Sequence, residues 1–365
     1  MVKSASDLPQ VMLTEIFLRL PVKSLLRCKS VCKPWLHTIS NPDFIKSQIF
    51  ASQKIHTLLN IVNEEQLDAG NSAITETELV DFNGQGLSCS PIHFEYLVMP
   101  HVFQPTQVIC SCDGIICLYN KYGDVVYLWN PSIRRCKKLP PPTRQTSTSV
   151  PIMLGFGYDS SSNDYKVLRI VYENRYDFVP IVQVYSTNAD CYREFRAPIL
   201  KKWMVYARDN INVYRRTNTF VNGVLYFDGG DELVSFDLHD EVFGLIPFPR
   251  FVQRKMSDVL DFKCSVAMIF ESGPGVDLWT LNNVSGQLSW TKKFSIEVDI
   301  EMEIWVSFYL GAQQFYGTNS LNRTCFLHDY EKKKTKYYGL GKESVLATLE
   351  YIETLVSLDG SEQVQ

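Results

Sequence analysis

Residues Val108 to Pro140 read VICSCDGIICLYNKYGDVVYLWNPSIRRCKKLP, four short apolar runs separated by turn residues. The first two runs meet at Asp113-Gly114, a dipeptide typical of a tight hairpin because both turn positions favour a positive φ. Residues Thr217 to Pro247, TNTFVNGVLYFDGGDELVSFDLHDEVFGLIP, repeat this order of runs and turns around Asn222-Gly223. The sequence therefore predicts a repeated unit of four antiparallel strands.

A third copy of the unit fits between these two. Its predicted strands are Met153 to Tyr158, Tyr165 to Tyr172, Ile181 to Tyr185 and Tyr192 to Phe195. The expected third strands of successive units are marked by Phe82, Trp129, Tyr185, Phe236, Trp279 and Asp329. Four-stranded repeats with a period of about fifty residues are typical of a β-propeller, so six marks predict about six blades. We expect the terminal strand, Tyr351 to Leu358, to complete the first blade and close the ring.

The chain ahead of the repeats has helical spacing instead. Apolar residues recur at intervals of three and four, which predicts three short helices. The first and third of these carry Leu13, Ile16, Phe17, Leu20, Val31, Cys32, Trp35, Leu36 and Ile39, and Asn41-Pro42 is expected to end the third. A unit of about forty residues rarely buries so much apolar surface alone, so the pattern predicts a partner.

Composition excludes several classes of protein. With 36 Lys and Arg against 40 Asp and Glu among 365 residues, the net charge of -4 argues against a nucleic-acid-binding protein. The sequence has no secretory signal and no apolar run long enough to span a membrane. We therefore expect an intracellular protein without a membrane partner, in the cytoplasm or also in the nucleus, whose ten cysteines are reduced thiols.

Several common catalytic motifs are missing from the sequence. Gly339-Leu340-Gly341-Lys342 lacks the spacing and the hydroxyl of a phosphate-binding loop, and neither a zincin motif nor a nucleophile elbow occurs. Cys28 with Cys32 and Cys110 with Cys112 lack the further ligands that a tetrahedral metal site needs. The sequence predicts no catalytic residue, no metal and no cofactor.

Three groups of residues carry a resemblance to a known family. Leu20-Pro21-Val22-Lys23-Ser24-Leu25-Leu26-Arg27 and Val31-Cys32-Lys33-Pro34-Trp35 resemble a plant F-box, while Trp129-Asn130-Pro131 is similar to the F-box-associated, kelch-like region. More narrowly, Cys110 to Leu358 resembles the S-locus F-box proteins of plant self-incompatibility. The resemblance implies an α+β multidomain chain: a helical F-box at 6–49, a mainly antiparallel all-β, kelch-like propeller at 52–358 and a disordered tail at 359–365.

The resemblance also implies partners. An F-box docks on the Skp-type adaptor of a cullin-based ubiquitin ligase, and its counterpart here would use Leu8, Pro9, Ile16, Leu20, Pro21, Leu25, Leu26, Val31, Cys32 and Trp35. The acidic residues common after Leu-Pro in this family are replaced by Gln10-Val11. The chain would then be a non-catalytic substrate receptor whose target, if the narrower resemblance holds, is a non-self S-locus ribonuclease in pollen. A somatic receptor with another protein target is the alternative, and a propeller enzyme or ligand binder is less favoured.

Charge suggests which face would bind the substrate. Turns between the first and second and between the third and fourth strands of a blade lie on one face, and their acids are Asp113, Asp159, Asp164, Asp190, Asp237, Asp240 and Glu241. The long links on the other face carry Lys201, Lys202, Arg208, Arg215, Arg216, Arg250, Arg254 and Lys255. The S-locus resemblance implies a ribonuclease target, and such ribonucleases are typically basic, so we expect the acidic face to steer it.

Overall fold

The structure is a computed structural model. It describes residues 9–51, 55–63, 76–80, 106–120, 124–144, 152–172, 179–200, 218–249, 257–272, 275–284, 286–297, 304–305, 309–310, 314–319, 324–329, 331–339 and 343–363. Phe82, Leu8 and the basic link residues at 201–216 and 250–255 lie outside these ranges.

Four helices form the N-terminal head. They are α1 (Gln10–Leu18), α2 (Val22–Cys28), α3 (Lys33–Ser40) and α4 (Pro42–Ala51). The carbonyl oxygens of Pro9 and Pro21 accept the first backbone hydrogen bonds of α1 and α2, from Leu13 and Leu25. Two expectations are corrected: Val31 and Cys32 precede α3, and Pro42 begins a fourth helix instead of only ending the third. Proline is favoured at the first helical position because the amide it lacks would have no partner there.

The remainder of the described chain forms six antiparallel sheets. Sheet 1 has the strand order β2-β1-β24, and sheet 2 has the order β25-β6-β5-β4-β3. Their strands are β1 (Ile55–Asn63), β2 (Glu76–Val80), β3 (Thr106–Cys112), β4 (Ile115–Asn120), β5 (Val126–Asn130), β6 (Arg135–Lys138), β24 (Glu343–Ile352) and β25 (Glu362–Gln363).

Sheets 3, 4 and 5 are four-stranded meanders in chain order, and sheet 6 follows the path β19-β21-β22-β23 with β20 also paired to β21. The strands of sheets 3 and 4 are β7 (Ile152–Asp159), β8 (Asp164–Val171), β9 (Ile181–Ser186), β10 (Cys191–Arg196), β11 (Thr219–Val221), β12 (Val224–Asp228), β13 (Glu232–Asp237) and β14 (Phe243–Pro247). Those of sheets 5 and 6 are β15 (Ser257–Phe262), β16 (Ser265–Ser272), β17 (Gly275–Val284), β18 (Gln287–Glu297), β19 (Ile304–Trp305), β20 (Tyr309–Leu310), β21 (Gln314–Asn319), β22 (Thr324–Asp329) and β23 (Lys334–Gly339).

The sheets stand side by side as blades. Their inner strands are neighbours in the order β24, β3, β7, β11, β15 and β20. Trp129, Tyr185, Phe236 and Trp279 lie on the third strands of sheets 2 to 5, as predicted, and Asp329 lies on the third strand of the path in sheet 6. Six neighbouring sheets, of which sheets 3, 4 and 5 are four-stranded meanders, are the blades of a β-propeller.

The predicted hairpin turns are confirmed by their backbone angles. Asp113 and Gly114 have φ values of 49° and 75°, and Asn222 and Gly223 have 50° and 85°. These turns join the first strand to the second in sheets 2 and 4. In sheets 2, 3 and 4 the first-to-second and third-to-fourth turns lie at the same end of each sheet, and we call the surface they form the hairpin face.

Two predictions about the C-terminus need correction. The strand that pairs with β1 is Glu343–Ile352, not Tyr351 to Leu358, and 353–358 has no strand structure. The tail at 359–365 was expected to be disordered, but Glu362 and Gln363 pair with Cys136 and Arg135 at the edge of sheet 2. A strand from the C-terminal part of the chain, β24, thus pairs with β1 in sheet 1, as expected. Closure of the whole ring stays a prediction.

Candidate functional site

The helical head concentrates exposed apolar surface. Of the twelve large apolar side chains exposed in the described part of the chain, seven lie in the head: Val11, Met12, Ile16, Leu26, Val31, Leu36 and Phe50. The head also has a filled core, so these side chains are surplus to its own folding. Exposed apolar groups at this density are typical of a protein-binding surface.

The predicted adaptor contacts divide between surface and core. Val31 is 62% exposed and Ile16 is 46% exposed, and Pro9, Pro21, Leu26 and Cys32 are also exposed, while Leu20 is half-buried. Leu25, however, is 0% exposed. Its side chain fills the core of the head and presents no surface to a partner, so its placement among the contacts is corrected.

Trp35 has an intermediate position. Its indole ring lies 5.1 Å from the ring of Phe17 in an edge-on arrangement, and Phe17 is buried in the head core. Trp35 is therefore held in a fixed orientation with part of its surface open. Leu36, the next residue, is 46% exposed and was not among the predicted contacts. Its exposure follows from its position on the helical turn, which the spacing of apolar residues in the sequence does not show.

The head is seated on the hairpin face beside sheet 2. Its core of Leu13, Phe17, Val22, Leu25, Ile39 and Phe44 includes one side chain from the far end of the chain, Leu355. Ile45 and Ile49 of α4 pack on the core shared by sheets 2 and 3, and Gln48 Nε2 donates to the carbonyl oxygen of Glu353 at 3.1 Å. Residues 353–356, which we call the C-terminal strap, thus lie between the head and the body.

Five titratable side chains meet where sheets 3 and 4 adjoin on the hairpin face. Lys166 Nζ lies 3.1 Å from Asp159 Oδ2 and 3.2 Å from Glu241 Oε1. Arg193 pairs with the other oxygen of Glu241, and His239 Nδ1 lies 3.3 Å from Asp159 Oδ2. Burial alone would raise the pKa of Asp159, but hydrogen bonds from Ser162 and Lys166 outweigh it and hold that pKa well below its usual range.

Other predicted acids of this face are also engaged within the chain. Asp164 is 3% exposed and accepts hydrogen bonds from Ser186 and Thr187. Asp190 accepts a hydrogen bond from Tyr185 and pairs with Lys137 at 2.9 Å, which lowers its pKa. Burial raises the pKa of Asp113, and a hydrogen bond from Tyr165 opposes that rise. These acids hold turns in place through hydrogen bonds, and Asp190 is also paired with a lysine.

Asp237 and Asp240 complete the predicted set. Asp237 is half-buried and its Oδ1 accepts the backbone amides of His239 and Asp240. Asp240 itself is exposed. By strand topology all seven predicted acids lie at the hairpin ends of their sheets. Asp190 and Asp240 are the two exposed members, and Asp190 is paired with Lys137.

Metal and membrane features give no further site. Among the described residues, no group of three or more His, Cys, Asp or Glu side chains could hold a metal ion. Within the same part of the chain, no helix is long and apolar enough to cross a bilayer.

Comparison with known families decides the identity of both parts. Residues 81–318 match the F-box associated beta propeller domain, and residues 5–47 match the F-box domain. The chain belongs to the F-box-associated β-propeller family. The head of this F-box protein is therefore its F-box, and the strands that fall within residues 81–318 belong to its associated propeller.

Similar F-box proteins occur in Arabidopsis thaliana. F-box/kelch-repeat protein At3g23880 is 26% identical over 321 residues, which cover 83% of this chain and 84% of that protein. F-box protein CPR1 is 28% identical over 318 residues, covering 80% of this chain and 73% of that protein.

Proposed function

We propose that this protein is the substrate-recognition subunit of a Skp-cullin-F-box ubiquitin ligase. The F-box binds a Skp-type adaptor and, through it, a cullin scaffold, while the propeller binds a protein destined for ubiquitination. The observation that carries the proposal is the head itself: an F-box whose core is complete and whose surface still exposes Val31, Ile16 and Leu36. The chain supplies position and contacts, not catalysis, in the cytoplasm or nucleus.

The mechanism is an increase in effective concentration. A receptor that holds the ligase at one end and the target at the other makes transfer to the target's lysines an intramolecular event. The propeller suits this role because its turns present side chains from a rigid scaffold. Our proposal for the target is a non-self S-locus ribonuclease; a somatic receptor with another protein target is the alternative.

Adaptor binding can be tested with two matched variants. Val31→Asp places a charge on the exposed apolar surface of the head, and Val242→Asp makes the same change at a 57% exposed valine of the propeller. We expect the full-length wild type and Val242→Asp to co-purify with a Skp adaptor and cullin, and Val31→Asp to lose at least tenfold in affinity, which is about 1.4 kcal/mol. Equal binding by all three would contradict the assigned surface, and no binding by the wild type would contradict the function.

A further inference from the structure

The C-terminal strap joins two parts of the chain that the family models treat separately. We propose that the strap, together with Asn130, is a positioning element that fixes the F-box on the propeller, so that the adaptor surface has one orientation relative to the hairpin face. The fastening follows from contacts within the chain. Its consequence for ubiquitin transfer rests on the proposed function.

Asn130 makes the central hydrogen bonds that hold the C-terminal strap. It ends β5, is 4% exposed, and its Nδ2 donates to the carbonyl oxygens of Thr354 at 3.2 Å and Val356 at 2.8 Å. Its Oδ1 accepts the backbone amide of Ser132 at 3.0 Å and so caps the short turn Pro131–Ile133. One amide side chain therefore organises the third-to-fourth turn of sheet 2 and holds the strap against it.

Thr354 ties the strap to a second turn. Its side chain is 0% exposed, and its hydroxyl donates to the carbonyl oxygen of Asp113 at 2.8 Å. The strap passes so close to this turn that a Cβ on Gly114 would lie 2.5 Å from the Ile352 carbonyl oxygen and from Thr354 Oγ1. Gly114 thus serves both the positive φ of the hairpin and the close approach of the strap.

Leu355 reaches the other side of the junction. It is 2% exposed and belongs to the same core as Leu25 and Phe17 of the head, against which Ile133 also packs. A small helical unit gains stability from apolar groups supplied by neighbouring segments. The F-box core is therefore completed by a residue more than 300 positions later in the chain, and the orientation of the head is set by packing as well as by hydrogen bonds.

Two asparagines provide a matched test. Asn130→Asp keeps the oxygen that caps the turn but replaces the donor that faces two carbonyl oxygens, so it should loosen the strap. Asn222→Asp is the control, because Asn222 Nδ2 also donates across turns, to the carbonyl oxygen of Cys264 at 3.1 Å, without touching the head. Hydrogen exchange of the full-length proteins, followed by mass spectrometry, reports each region separately.

We expect amides of α4 and the strap to exchange about tenfold faster in Asn130→Asp, as for the loss of a buried hydrogen bond, with β8, β9 and β13 unchanged. Asn222→Asp should leave the head unchanged. If Asn130→Asp increases exchange throughout the propeller, the same measurement is made on Thr354→Val, which replaces only a hydroxyl by a methyl group. The result for Thr354→Val then decides. A selective increase in the head and strap supports the proposal, and its absence in Thr354→Val overturns it. Adaptor binding is not used in this test, so its result can be interpreted even if the proposed function is wrong.

Discussion

Lys166 Nζ lies 3.1 Å from Asp159 Oδ2, and the two side chains are 9% and 2% exposed. Lys166 also donates to the carbonyl oxygen of Leu238, in the third-to-fourth turn of the next sheet. A buried lysine on β8 thus joins two blades through charge and hydrogen bonding. Because removal of Lys166 takes the shared cation away from two largely buried carboxylates, Asp159 and Glu241, this cluster is a sensitive point of the propeller.

We predict that Lys166→Met destabilises the protein by about 3 kcal/mol or more, since it leaves Asp159 and Glu241 without their shared cation. Lys292→Met is the control, because Lys292 pairs with Asp277 at 2.7 Å but is 42% exposed, against 12% for Asp277; water reaches the lysine, so we expect a smaller loss of stability. Urea denaturation of both variants measures the difference. Similar losses of unfolding free energy from the two substitutions would show that burial does not increase the contribution of the Lys166 cluster to stability.

Stability should also depend on pH through Asp159. The pKa of this carboxyl is held below its usual range in the folded protein, whereas in the unfolded chain it is about 3.9. Its contribution is therefore complete above about pH 4 and is lost as pH falls towards the folded pKa. We predict that, between about pH 6 and pH 3, the melting temperature of Asp159→Asn falls less than that of the wild type. A steeper fall of the melting temperature in the variant would contradict this prediction.

Trp35 should affect both the head and its partner. Because its ring packs edge-on against Phe17, Trp35→Ala is expected to destabilise the head by about 2 kcal/mol, less than for a fully buried ring, and also to weaken adaptor binding. Leu36→Ala, at an exposed neighbour, should weaken binding with little loss of stability. Exchange protection of α1 and adaptor affinity, measured on both variants, separate the two effects. Unchanged protection in Trp35→Ala would assign the residue to the surface alone.

The C-terminal segment should be indispensable up to the strap and less critical beyond it. A chain ended after Gly341 lacks β24 and the strap, so it exposes the edge of β1 and opens the head core; we expect it to aggregate. A chain ended after Asp359 lacks the two-residue pairing of β25 with β6 and the hydrogen bond from Arg135 to Ser361, and it should stay soluble. Light scattering and thermal melting compare the two. A soluble, cooperatively melting product of the shorter chain would exclude a closing role for β24.

Local signals in the sequence predicted the blades well, for physical reasons. Asp113-Gly114 and Asn222-Gly223 select their turns through backbone conformation alone, which a sequence states directly. The end of the chain was misplaced because Tyr351, Leu355 and Val356 are apolar at intervals that also suit a strand, whereas Leu355 is buried in the head. The acidic turns were located correctly, but their pairing with Lys166 and Lys137 depends on how blades adjoin, and no local pattern contains that information.

Which face binds the substrate can be tested within a single sheet. Asp240 is exposed in the turn between β13 and β14, on the hairpin face, and Asp231 is exposed in the turn between β12 and β13, on the opposite face. Both can be changed to lysine with the same change in net charge. Asp240 is a better probe than Asp159 or Asp164, because those two carboxylates are buried and their reversal would unfold turns.

If the hairpin face steers a basic target such as an S-locus ribonuclease, Asp240→Lys should slow association a few-fold and reduce its dependence on salt, since steering acts through long-range charge. Asp231→Lys should leave the association rate nearly unchanged. Stopped-flow or surface binding kinetics at two ionic strengths, on the full-length protein, give both quantities. A larger effect from Asp231→Lys would place the binding surface on the opposite face, and equal small effects would show that the internal pairing of Asp159, Asp190 and Glu241 has already removed the steering charge.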